Sequence, residues 1–221
     1  SKGSTNEINK ELQNKILLEL RAEFPGVYWD FEGEQSEQAE TIASMNYLYM
    51  IALIIIYGLL AIPFSSYIQP IIVMAAIPFG LIGAIWGHVV MGMDVTILSG
   101  FGVVALTGVV VNDSLVMVDY VNRKRKIGLK EMEAARQAGM SRFRPIILTS
   151  LTTFAGLTPL LLEKSLQAKF LVPMGISLGF GVIFATVITL ILVPAMYLIL
   201  EDIRSLLQNI RIILFGSNEK L

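Results

Sequence analysis

Residues 97–120 read ILSGFGVVALTGVVVNDSLVMVDY, and between Ile97 and Val118 the only residues beyond apolar, glycine and small hydroxyl types are Asn112 and Asp113. Wound as a helix at about 1.5 Å per residue, that run crosses a hydrocarbon core of roughly 30 Å. Four further windows have the same character: 44–62, 70–91, 145–162 and 172–199. The chain of 221 residues is 54% hydrophobic and 16% charged, with a mean hydropathy of +0.66, outside the balance of soluble domains. The expected fold is an all-α membrane protein: a five-helix transmembrane bundle over 44–200, spanning at 44–62, 70–91, 97–118, 145–162 and 172–199.

Charge sets the expected orientation. The connector 119–144 carries Arg123, Lys124, Arg125, Lys126, Lys130, Arg136, Arg142 and Arg144, and the tail 201–221 adds Arg204, Arg211 and Lys220: eleven of the seventeen Lys and Arg. With five spans both segments fall on one side, which the positive-inside rule makes cytoplasmic. The amino-terminal segment is then periplasmic. The basic connector is expected to be helical from about Leu129 to Ala138, between Gly128 and Gly139, and either fixes topology or lies along anionic headgroups.

Residues 1–43 hold four basic and nine acidic residues. They open with a Ser4-x-x-Glu7 capping box and repeat Ile8, Leu12, Ile16 and Leu20 along one helical face. After Pro25–Val27, alternation of Val27, Trp29 and Phe31 suggests a short strand. One helix and one strand bury no core, so 1–43 is expected to be an α/β remnant of a larger periplasmic domain, with a further membrane helix upstream.

The net charge of -1 and the absence of a basic, aromatic-interleaved patch point away from nucleic acid. Without cysteine there is no disulfide or thiolate metal site, and one histidine offers little to a transition metal. No metal or organic cofactor is expected.

Small residues at Ala76, Gly80, Gly83, Ala84 and Gly87, and at Gly175 and Gly179, suit close helix packing in lipid. Pro78, Pro159, Pro173 and Pro194 are expected to distort their helices. His88, near the outer end of the second span, reads as an interfacial hydrogen-bonding residue.

Asp113 differs from all of these. A carboxylate at membrane depth costs about 2.5–3.5 kcal/mol on insertion scales, so such a residue faces a bundle interior and marks an ion or proton path. It lies about 15 Å from Arg123 along the helix, too deep for its short side chain to reach water. Burial against nearby donors lets an acid load and release a proton. Asn112 and Ser114 flank it, and the fourth span brings Thr149, Ser150, Thr152 and Thr153 into the bilayer, where hydroxyls either support the acid or bond their own helix.

With these residues in place, GVVVNDSLVMVDYVNR (108–123), SRFRPIILTSLTTFAGLTPLLL (141–162) and LGFGVIFATVITLILVPAMYLIL (178–200) resemble the carboxy-terminal part of a resistance-nodulation-division (RND) efflux transporter, in the hydrophobe and amphiphile exporter branch of acriflavine-resistance type. The resemblance implies that the five spans are the last five of a twelve-helix transporter of the bacterial inner membrane. It implies proton-driven export of drugs or amphiphiles with no cofactor beyond the proton gradient. Implied partners are the amino-terminal half of the same transporter, two further copies in a homotrimer, a periplasmic adaptor and an outer-membrane channel. Asp113, Asn112 and Thr149 then form the proton relay of this half, with Ser114, Ser150, Thr152 and Thr153 as support. The better-known pumps have a lysine before the asparagine matching Asn112, where this chain has Val111.

Two other readings compete. The chain alone is a membrane scaffold if the small-residue stripes are its main feature. Asp113 and Asp119 are two acids, as intramembrane aspartyl proteases require, but on one helix they are about 120° out of alignment, whereas carboxylates sharing a water must face each other.

Overall fold

The structure, a computed structural model, describes residues 34–215 and Lys15 alone ahead of them, with side chains from 37 to 206 other than Leu166. The expected amino-terminal helix and the strand at Val27–Phe31 lie outside the described residues. The chain divides into two compact units, Ser1–Thr41 and Ile42–Leu221. The described residues form six helices: α1 Glu34–Phe64, α2 Gln69–Met74, α3 Ile77–Met91, α4 Ile97–Lys126, α5 Glu131–Leu162 and α6 Leu166–Phe215. Five segments are long and apolar enough to cross a membrane: Glu37–Phe64, Gln69–Met91, Ile97–Lys126, Glu131–Leu162 and Gln167–Leu206. The described residues form an all-α membrane bundle with five membrane-length helical segments.

The helices outrun the apolar windows because hydropathy marks the lipid boundary, not the end of the backbone hydrogen-bond ladder. α4 continues through Arg123–Lys126, anchored by the buried Val118 and Val121 and by the Asp119–Arg123 ion pair at 2.8 Å. The connector is helical as expected, from Glu131, but its helix does not end at Gly139: α5 is one helix from Glu131 to Leu162 that runs on through Gly139 and Pro145. The second span is broken at Ala75–Ala76. Pro78 has no N–H for the Met74 carbonyl, and α3 restarts with that proline in its first turn.

Tight turns join the spans. At the end of α4, the N–H of Leu129 donates to the Lys124 carbonyl and that of Gly128 to Arg125, a six-to-one and five-to-two pair whose left-handed position is Gly128, φ 92°. Gly92, φ 62°, ends α3 in the same way.

α6 is the centre of the bundle and packs against α3, α4 and α5. Its contact with α3 is closest at Gly83 and Gly87. A methyl on Gly83 would lie 2.4 Å from Phe184 Cβ, and one on Gly87 2.6 Å from Phe180 Cβ, so the small-residue stripe is a seam between backbones. α1 is peripheral: its most apolar window is 6% buried, against 50% for the second, third and fifth spans. It touches the bundle along one stripe, with Met45 against Gly100, Tyr49 bonded to Thr107 at 2.8 Å, and Leu53, Ile56, Leu60 and Phe64 on the core.

Candidate proton site

Asp113 sits near the middle of α4, about 24 Å along the axis from Ile97 and about 20 Å from Lys126. It is half-buried, Asn112 beside it is exposed, and neither makes a hydrogen bond or ion pair with the described residues. The next residue, Ser114, is fully buried, and its hydroxyl also has no partner among them. Three consecutive polar side chains in the middle of a spanning helix are thus uncompensated within this bundle.

The threonines of α5 do not supply the compensation. Thr149 Oγ1 donates to the carbonyls of Pro145 and Ile146 at 3.0 and 2.8 Å, and Thr152 Oγ1 to Leu148 and Thr149 at 2.9 Å each, so both bond their own helix. Ser150 is buried, donating to the Ile146 carbonyl and meeting Thr186 of α6 at 2.5 Å. Thr153 is half-buried. Thr149 and Asn112 are both exposed, on α5 and α4.

Adjacent helical positions point about 100° apart, and sequence alone does not say which one faces the core. Val111, the position where related pumps place a lysine, is 7% exposed and belongs to the core that includes Val118 and Val193. A lysine there would enter an apolar interior.

One basic group escaped the reading of the sequence. Arg142, counted only as part of the connector, lies on α5 two turns before Thr149. Its Nε is buried without a partner among the described residues, and its guanidinium stands 5.2 Å from the centre of the Tyr120 ring. Its spacing of seven from Thr149 was the available signal.

His88 has a different setting. It is buried within the bundle, 3% exposed, with Nδ1 2.9 Å from the Ala84 carbonyl and Nε2 2.8 Å from Ser99 Oγ. In the neutral ring Nδ1–H donates to Ala84, leaving Nε2 to accept the Ser99 hydroxyl. Ser99 Oγ in turn accepts the Thr96 N–H at 3.0 Å within the capping box of α4. Every polar atom of this group is used.

The profile of a transporter family described as AcrB/AcrD/AcrF matches residues 1–201. The chain belongs to the AcrB/AcrD/AcrF family. Two solved structures of a heavy metal efflux pump have the same fold. The first, crystal form II, is 26% identical with a TM-score of 0.75 over 91% of this chain and 20% of that one. The second, crystal form I, is 27% identical with a TM-score of 0.68 over 84% and 19%. The chain spans about a fifth of the length of these pumps. It is a portion of an RND efflux transporter and a multi-pass membrane protein, not an enzyme, which removes the aspartyl protease reading.

Proposed function

We propose that this chain is the carboxy-terminal part of the membrane domain of a proton-driven efflux pump, with Asp113 as the group that takes up and releases the proton. The observation that carries the reading is the uncompensated trio Asn112, Asp113 and Ser114 in the middle of α4. A polar group without a partner is destabilising where it is buried, so a fold that keeps the buried Ser114 and the half-buried Asp113 unbonded beside Asn112 in a spanning helix has another use for them. Asn112 and Thr149 orient water or a facing side chain toward the acid, and the rest of the transporter supplies the counter-group. The concentration of Lys and Arg beyond α4 and α6 supports a cytoplasmic basic end in a bacterial inner membrane. Assembly as a homotrimer with a periplasmic adaptor and an outer-membrane channel follows from the same family reading.

For the substrate, the wording of the α4 and α5 motifs favours drugs and amphiphiles. A heavy metal cation is the second reading, from the likeness to pumps described as exporting them. In the full-length transporter reconstituted into vesicles, Asp113→Asn is expected to reduce proton-dependent efflux to background while expression and assembly persist. Full proton-coupled efflux from this variant sinks the proposal. The same vesicles, loaded in turn with a cationic dye and with a transition-metal ion, separate the substrate readings.

A further inference from the structure

We infer that the basic end of the bundle holds a binding site for one phosphate group, supplied by a lipid headgroup or by free phosphate, in the cavity between the α1–α2 turn, α4 and α6. The cavity is about 300 Å³, the volume of about ten waters. Its polar floor joins three helices: Gln69 and Asn122 exchange amide hydrogen bonds of 3.1 and 2.9 Å, and the Tyr197 hydroxyl donates to Asn122 Oδ1 at 3.1 Å. This network fixes the spacing of the charged rim above it.

The rim is cationic. Arg123, Arg125, Lys126 and Arg204 line the cavity against two carboxylates, Asp119 and Glu201. Glu131, outside the lining, pairs with Arg125, which still leaves one positive charge in excess. Arg123 bonds Asp119 at 2.8 Å and Arg204 bonds Glu201 at 3.3 Å, each through one nitrogen, while a guanidinium has five N–H donors. Lys126 makes no ion pair with the described residues. The excess charge and spare donors suit a tetrahedral oxyanion. The adjacent cavity of about 620 Å³ makes the contrast: Arg125, Lys130 and Arg204 meet Glu131, Glu201 and Asp202, three against three.

The surroundings suit a lipid. Leu59, Ile62 and Ile71 on α1 and α2 are more than half exposed, providing an apolar surface for acyl chains, and Tyr67 in the intervening turn is 79% exposed, in the manner of interfacial aromatics. Basic pockets between spans are known to take anionic headgroups.

The test uses the full-length transporter in neutral detergent, titrated with phosphatidylglycerol or inorganic phosphate and followed by native mass spectrometry and calorimetry. Lys126→Gln and Arg204→Gln are each expected to weaken binding about fivefold, and together about 25-fold, while Lys130→Gln has no effect. Lipid binding that survives millimolar phosphate assigns the site to a headgroup; competition assigns it to free phosphate, and either upholds the inference. Absence of binding to the parent protein, unchanged affinity in the double variant, or an equal loss in Lys130→Gln overturns it. Lys126 takes part in no described bond, so Lys126→Gln remains decisive if Arg204→Gln proves unstable.

Discussion

Two ionisable groups within the membrane spans, His88 and Asp113, are provided for in opposite ways. His88 has a partner on each ring nitrogen, one of them the capping-box residue Ser99, while Asp113 has none among the described residues and neighbours a serine hydroxyl equally unpartnered. A buried polar group is tolerable when its hydrogen bonds are made within the fold. The histidine is therefore part of the architecture of the described bundle, whereas the acid is not bonded into it.

That contrast can be broken by measuring stability instead of transport. His88→Ala should destabilise most, by about 3 kcal/mol, since it removes a packed ring and strands the Ser99 hydroxyl; an unchanged melting temperature in detergent would remove the architectural role. Gly83→Ala should follow at about 2 kcal/mol, because its methyl would meet Phe184 Cβ at 2.4 Å between two backbones. Asp113→Asn should leave the melting temperature of the isolated chain unchanged, and a marked loss would reveal an internal partner. Ser114→Ala is expected to be neutral or to raise stability by up to about 1 kcal/mol, because the hydroxyl it removes is buried and unbonded. The smallest effect is at the exposed Glu163, where the N–H groups of Ser165 and Lys164 hold its carboxyl below the usual range. A depressed acid stabilises its loop above its ordinary pKa of 4.5 and loses that contribution as the pH falls through the folded value. The protection of the Lys164 and Ser165 amides relative to their intrinsic exchange rates should therefore fall on acidification in the parent and not in Glu163→Gln.

The five spans were legible because lipid demands long apolar runs, and the oddity of Asp113 was legible against that background. Helix ends were not, since charged residues such as Arg123 continue a helix as readily as they end one, and neither Gly139 nor Pro145 stops α5. The orientation of Val111, Asn112 and Asp113 was hidden because neighbouring positions differ by a rotation that only packing against α6 fixes. Partnerships over long separations were hidden too: Asn122 with Gln69 and with Tyr197, or His88 with Ser99 across a turn, have no local pattern. The small-residue stripe at Gly83 and Gly87 was read as packing, and it meets α6 as a close backbone seam.

α4 contains neither glycine nor proline from Asp113 to Lys126, whereas the second span is broken at Ala75–Ala76 and α5 and α6 each contain two prolines. Kinks need such residues or an interruption of the ladder, so this half of α4 is stiff. A tilt of about 5° at Asp113 displaces Lys126 by roughly 1.7 Å, a distance comparable to the helix shifts that operate subunit interfaces. Any tilt of α4 about Asp113 would therefore displace Asn122 and load the Gln69–Asn122–Tyr197 network directly.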